Sequence, residues 1–256
     1  MMRARSQLGQ NFLIDSSVVE KILKFANLNK NECVLEIGPG TGALTRELAN
    51  LASRVVAIEF DRALASELES NFQKDGISNV KIIHGDVLSF SNAELASMCG
   101  GSFIVVANIP YNITSKVLEK FLSGSPRPLR MVLMVQKEVA DRMLAKPSEM
   151  GLLSVAVQLR TNASRITNVS PESFSPKPKV WSSVVLLELM PESETVEEAV
   201  RLAGLGFASR RKQLWKNLPY PKAQVQNALE STGLVKTARA QELSPNQWLK
   251  LAQKLV

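Results

Sequence analysis

The sequence predicts an α/β fold: an open, mostly parallel sheet with helices on both faces, an antiparallel edge strand and a small C-terminal α-helical domain. Three observations predict it. Short apolar, β-branched runs alternate with amphipathic stretches through a fifth run at 131–135, the pattern of parallel strands joined by crossover helices. Two later segments, 164–169 and 182–189, read as further strands joined by a proline-spaced linker without a helix, so they imply an antiparallel edge. After Pro191-Glu192-Ser193-Glu194 the periodicity is helical only, which places a domain boundary there and divides the chain into 1–190 and 191–256.

Residues 3–13 are polar and glycine-containing and read as a loop or arm, with Gln10-Asn11 as a solvated turn. Asp15 or Ser16 caps a helix to about residue 26, whose apolar side carries Val18, Val19, Ile22, Leu23 and Phe25. Cys33-Val34-Leu35-Glu36-Ile37 is the first strand of the sheet, with Cys33 as a small core residue; Gly38-Pro39-Gly40-Thr41-Gly42 follows, then a helix over 43–51. Arg54-Val55-Val56-Ala57-Ile58-Glu59 is the second strand, and 63–72 the next helix. Val80-Lys81-Ile82-Ile83-His84 is the third, with His84 packed inside it. The fourth, Phe103-Ile104-Val105-Val106-Ala107, leads into Asn108-Ile109-Pro110-Tyr111 and a helix from about Thr114. After the fifth strand come helices from 136 and over 152–159. Beyond the boundary, helices are expected over 196–207, 211–217, 222–230 and 244–255, the last with Ser244 as cap and Pro245 at its first position.

In open parallel sheets ligands bind beyond the carboxyl ends of the strands, and the notable polar residues lie there. Glycines at 38, 40 and 42 permit a tight turn and close approach to a ligand. Gly38-x-Gly40-x-x-Ala43 also fits a dinucleotide fingerprint. However, Pro39 removes one N–H donor, and Glu36 places an anion where diphosphate is repelled and an ammonium or sulfonium attracted. Glu59 is placed to accept the two ribose hydroxyls of a nucleoside, and Asp86 to accept from an adenine amino group. Asn108, the Ile109 carbonyl and the Tyr111 ring offer two acceptors for an exocyclic NH₂ and a flat face for its ring. They suit an adenine N6 presented to a methyl donor, with the base out of any duplex stack. Taken alone, the tetrapeptide fits a proline turn with a half-buried Tyr equally well. In Phe174-Ser175-Pro176-Lys177-Pro178-Lys179-Val180 the prolines keep the chain extended, and Phe174 is either a fixed wall or a plug at the core edge.

The 256 residues are 45% hydrophobic, enough for a sizeable core. No apolar run approaches the length of a membrane span, and the basic N-terminus lacks the apolar stretch of a secretory signal. Two cysteines and one histidine make neither a disulfide framework nor a zinc site. No metal and no membrane are expected, and the expected compartment is the cytoplasm. The formal charge of +7 permits nucleic acid as partner, and residues 191–256 hold ten Lys/Arg against six Asp/Glu. Arg210, Arg211 and Lys212, near Trp215 and Lys216, either hold phosphates or form a solvated helix face.

Taken together, Gly9-Gln10-Asn11-Phe12-Leu13, Glu36 to Gly42, Glu59, Gly85-Asp86, Asn108 to Tyr111, Gln136-Lys137-Glu138-Val139-Ala140-Asp141-Arg142 and Phe174 to Val180 carry a resemblance. The whole chain resembles the small-subunit ribosomal RNA adenine dimethyltransferases, the KsgA/RsmA type. The resemblance implies a Rossmann-like class I S-adenosylmethionine-dependent methyltransferase sheet and S-adenosylmethionine as donor. It implies two neighbouring adenines near the 3′ end of small-subunit rRNA as targets, within a precursor ribosomal particle, and a monomeric enzyme. Carried onto this sequence, Gln10, Asn11 and Leu13 close over the donor, Gly38 and Gly40 pass under its methionine part, and Glu59 holds its ribose. Asp86 and the backbone at Val87 read its adenine. Asn108 lies between donor and target, the Ile109 carbonyl accepts from the target amine, and Tyr111 and Phe174 sandwich the target base. Two residues depart from the pattern: Trp181, where an acid is expected, and Trp215. A large-subunit rRNA adenine methylase of the macrolide-resistance kind and a non-catalytic assembly factor are the competing readings.

Overall fold

A computed structural model of the chain describes residues 11–255. In chain order the strands are β1 (Phe12–Leu13), β2 (Cys33–Ile37), β3 (Arg54–Glu59), β4 (Val80–His84), β5 (Phe103–Asn108), β6 (Arg130–Gln136), β7 (Thr161–Val169), β8 (Phe174–Ser175) and β9 (Ser182–Leu189). Among the described residues, seven of them form one sheet in the order β4-β3-β2-β5-β6-β9-β7. The first five of these run parallel, and β9 joins β6 antiparallel with Gln136 opposite Ser182. β1 and β8 form a separate antiparallel ribbon in which Leu13 faces Phe174. The five parallel strands lie within a residue of where the alternation places them. β2 is buried along its whole length and β5 up to Ala107. Strands covered on both faces cannot alternate apolar with polar, so they read as continuous Val/Ile runs. β4 is different: it is the outer strand, none of its residues is fully buried, and His84 is exposed rather than packed.

The helices are α1 (Ser16–Ala26), α2 (Ala43–Leu51), α3 (Arg62–Lys74), α4 (Asn92–Cys99), α5 (Thr114–Ser123), α6 (Lys137–Met143), α7 (Leu152–Arg160), α8 (Glu194–Phe207), α9 (Lys222–Ser231) and α10 (Pro245–Leu255). Asp15 caps α1, its carboxylate accepting from Ser17 N at 3.0 Å, an arrangement that contributes about 1 kcal/mol. At the other end of α1, the Arg130 guanidinium donates to the Ala26 carbonyl (2.7 Å) and pairs with Glu32 (3.0 Å), fastening the helix to β6. α4 was not expected, because its apolar stripe is too short to stand out. Its signal is Ser91-x-x-Glu94, a capping box in which Ser91 N donates to Glu94 at 2.6 Å and Glu94 N to Ser91 at 3.2 Å.

The described residues pack as two units, 11–140 with 164–189 and 141–163 with 190–255. The second unit takes in α7 and the segment before it together with the C-terminal helices. The core of that unit gathers Leu202, Leu214, Val225, Leu229 and Leu251 around Trp248, which is 0% exposed. A helix over 211–217 does not form. Gln213 is extended (φ −62, ψ 142), and only a single 3₁₀ turn, Leu214–Lys216, follows. Pro219 and Pro221 just downstream bar a longer helix.

Candidate active site

The sheet order reverses between β2 and β5, and this switch point opens a crevice at the carboxyl ends of the strands. The glycine loop leaves β2 there, and Asn108-Ile109-Pro110-Tyr111 leaves β5 beside it. A Cβ on Gly38 would lie 3.6 Å from the Pro110 ring, and one on Gly40 only 2.9 Å from the Phe12 ring. Both glycines have positive φ, +67° and +58°. A side chain at either is strained by the backbone, and at 40 it also meets the N-terminal segment.

Two adjoining clefts of about 720 and 780 Å3, counted with their solvent-open mouths, share Gly38, Glu59 and Pro110. Asn11, Leu13, Glu36, Gly40, Asn108, Ile109 and Tyr111 line the first. Phe60, Asp86, Val87, Asn112 and Ile113 line the second. The crevice thus brings together all the expected strand-end residues. Gln10 lies outside the described residues. Phe174 lines neither cleft. Its ring is 3% exposed and packs in the core beside Leu13, so it holds the plug position at the core edge rather than an open wall.

Hydrogen bonds fix most of these groups. The Asn108 side-chain N–H donates to the Asn11 carbonyl at 3.1 Å. With its nitrogen committed to the N-terminal segment, the amide keeps its oxygen as a free acceptor. Ile109 N donates to the Met134 carbonyl at 3.2 Å and its side chain is buried, so its own carbonyl is the group it can offer a ligand. The Tyr111 hydroxyl and Ser182 Oγ lie 2.8 Å apart. Burial raises the Tyr111 pKa, the serine contact opposing it, and the phenol stays neutral. Asp86 accepts from Leu88 N at 2.9 Å.

Two carboxylates sit side by side at the ends of β2 and β3. Glu59 uses one oxygen on Gly40 N (3.1 Å) and the other on Asp61 N (2.9 Å), so it also shapes the glycine loop. Burial raises its pKa against the pull of those N–H groups. Glu36 is 2% exposed and its Oε2 has no hydrogen-bond partner among the described residues. Burial, with repulsion from Glu59, pushes its pKa up to about 8, the Thr45 hydroxyl opposing. The anion expected from the sequence is therefore mostly a neutral carboxyl at pH 7 until a cation enters. Sequence reasoning missed Phe60, whose ring is 62% exposed at the second cleft. The available signal was a large apolar residue directly after the strand-end acid.

The chain matches the family model "Ribosomal RNA adenine dimethylase" over residues 1–256. It belongs to the ribosomal RNA adenine dimethylase family. A relative named ribosomal RNA small subunit methyltransferase A, from Dehalococcoides mccartyi, is 39% identical over 98% of this chain and 88% of its own. Another of that name, from Synechococcus elongatus, is 38% identical over 99% and 96%. Among solved structures, a dimethyladenosine transferase from Plasmodium falciparum superposes with a TM-score of 0.79 at 30% identity, covering 94% of this chain and 95% of that one. The 23S rRNA methyltransferase ErmE gives 0.80 at 28%, covering 96% and 99%. The fold is that of the class I methyltransferases that use S-adenosylmethionine, and this adenine dimethylase is an enzyme. Among the described residues no helix is long and apolar enough to cross a membrane.

Proposed function

We propose that this dimethylase transfers methyl groups from S-adenosylmethionine to N6 of two adjacent adenines near the 3′ end of small-subunit rRNA. The product is N6,N6-dimethyladenine at each. The substrate is a precursor ribosomal particle in the cytoplasm, and the enzyme acts as a monomer. The observation that carries this reading is the orientation of Asn108, whose amide nitrogen is held by Asn11 and whose oxygen is left to accept from an exocyclic amine.

The crevice fits the donor. Gly40 leaves no room for a side chain, and the unpartnered Glu36 carboxyl calls for a cation or a proton. When bound, the donor supplies a methyl group on cationic sulfur. Asn11, Leu13, Gly38 and Gly40 hold its methionine part, with Gln10 assigned there by family resemblance alone. Glu59 accepts the ribose hydroxyls with its remaining lone pairs, and Asp86 and Val87 read the adenine, with Phe60 against the ring.

The adenine amine is a poor nucleophile because its lone pair is conjugated with the ring. Asn108 Oδ1 and the Ile109 carbonyl accept its two N–H groups, draw the nitrogen toward tetrahedral geometry and aim the lone pair. Those acceptors also stabilise the charge that gathers on the nitrogen. Tyr111 supplies a stacking face, pinned through its hydroxyl. Phe174 is assigned the second face by family resemblance alone, its ring lying in the core beside Leu13. The nitrogen bonds the methyl carbon as that carbon's bond to sulfur breaks and leaves a neutral thioether; the methylated nitrogen then sheds a proton to water, a single N–H remains, and the amine rotates for the second transfer. Arg210, Arg211 and Lys212 contact phosphates.

The experiment is methyl transfer from labelled S-adenosylmethionine into unmethylated small-subunit particles, with large-subunit RNA alongside, followed by nucleoside analysis. Dimethyladenosine formed only in the small-subunit particles is the expected result. Label in the large-subunit RNA would move the enzyme to the macrolide-resistance type, whose fold is equally close. Donor binding without transfer anywhere would make it an assembly factor.

A further inference from the structure

Trp181 is 51% exposed, and its neighbour Val180 is 42% exposed. An exposed indole needs a reason, since most Trp surface is buried on folding. Its place in the fold supplies one. β9 runs antiparallel to β6 and begins opposite Gln136, so its first residue, Ser182, stands at the carboxyl edge of the parallel strands. Ser182 is fully buried and bonded to the Tyr111 hydroxyl at 2.8 Å. Trp181 is the next residue along the chain. It is held there by its own carbonyl, which accepts from Lys137 N at 2.8 Å. A fixed strand end therefore carries a base wall through one residue and an open indole through the one before. Lys179, two residues back, is exposed as well.

We propose that Trp181 is a stacking platform for the nucleotide next to the adenine in the pocket, with Lys179 beside it for the backbone phosphate. A base drawn out of its stack leaves its neighbour without a partner on one side, and with two adjacent adenines as targets that neighbour is the other substrate base. An aromatic face at the rim replaces the lost stacking without reading sequence. This rests on the reading of the crevice as an RNA adenine methylation site.

Transfer into unmethylated small-subunit particles, with donor affinity measured separately, tests it in wild type, Trp181→Ala and Trp181→Phe. Trp181→Ala should raise KM for the particles about tenfold, the scale of one lost base stack. Turnover at saturating particles and donor affinity should stay within about twofold, as loss of a contact made equally in ground and transition states requires. Trp181→Phe should recover most of the KM. A wild-type KM in Trp181→Ala overturns the platform and leaves the methylation reading intact, as does a Phe variant no better than Ala. No transfer by the wild type takes down both. Equal loss of donor affinity and turnover would assign the indole to the fold rather than to RNA.

Discussion

The strand ends of the sheet were expected to bind a ligand, and the basic cluster within 207–222 either to hold phosphates or to form a solvated face, and the structure builds the two differently. At the strand ends Glu59 is held by two backbone N–H groups, Asp86 by one and Asn108 by a backbone carbonyl. In 207–222 Arg210, Arg211 and Lys212 are all exposed, and Arg210 also donates to the Met150 carbonyl at 2.9 Å and lies over the Phe207 ring. The first region sets dipoles in place before a ligand arrives, as chemistry at one nitrogen requires. The second offers exposed cations on long side chains, which suit phosphate attraction but not placement of a reacting atom.

The largest effect that would break this contrast is at Asn108. Asn108→Ala should lower turnover by about a hundredfold or more while donor affinity stays within a few-fold, read by single-turnover transfer beside calorimetric titration of the donor. Turnover near wild type would reduce the strand end to a scaffold. Next comes Phe174→Leu, which keeps most core volume and removes the flat face. Its melting temperature should change by only a few degrees, while turnover falls about tenfold if the ring faces the base during reaction. Unchanged turnover would leave Phe174 as the core plug.

Glu36 sharpens the contrast from the side of stability. Folded, it holds a proton up to about pH 8; unfolded, it releases it near the ordinary 4.5. Between those values the native state binds more protons than the unfolded one, so stability falls as pH rises. The slope is up to about 1.4 kcal/mol per pH unit, and it vanishes on either side of the window. Glu36→Gln should abolish that slope in denaturant titrations at pH 5, 6.5 and 8, leaving a residual part from the likewise raised Glu59. The smallest effect belongs to the cations. Arg211→Gln with Lys212→Gln should weaken particle binding a few-fold and lower the log–log salt slope by about 1 to 2. An unaltered slope would make them a solvated face.

The sheet and its crevice were largely legible because four of the five parallel strands, β2, β3, β5 and β6, are buried along most of their length and polar or glycine residues follow at their ends. Sequence alone puts Glu59, Asp86 and Asn108 at successive strand ends. It could not give what depends on partners distant in the chain. The Asn108–Asn11 bond spans 97 positions, and Gln10-Asn11 on its own read as a turn. His84 and the 211–217 segment failed for a related reason. Local periodicity does not say that β4 is outermost, or that Gln213 leaves helical geometry before the downstream prolines.

The Asn11 carbonyl owes its position to the ribbon in which Phe12 and Leu13 pair with Ser175 and Phe174. Residues made earlier and residues made later in synthesis must therefore meet before the Asn108 amide is turned the right way. A nascent chain with the glycine loop and every parallel strand complete, but not yet its residues 174–175, carries Asn108 without the contact that aims it. On the proposed role of Asn108, competence for methylation arrives late in the making of the molecule, and a half-made enzyme has little capacity to modify RNA out of turn.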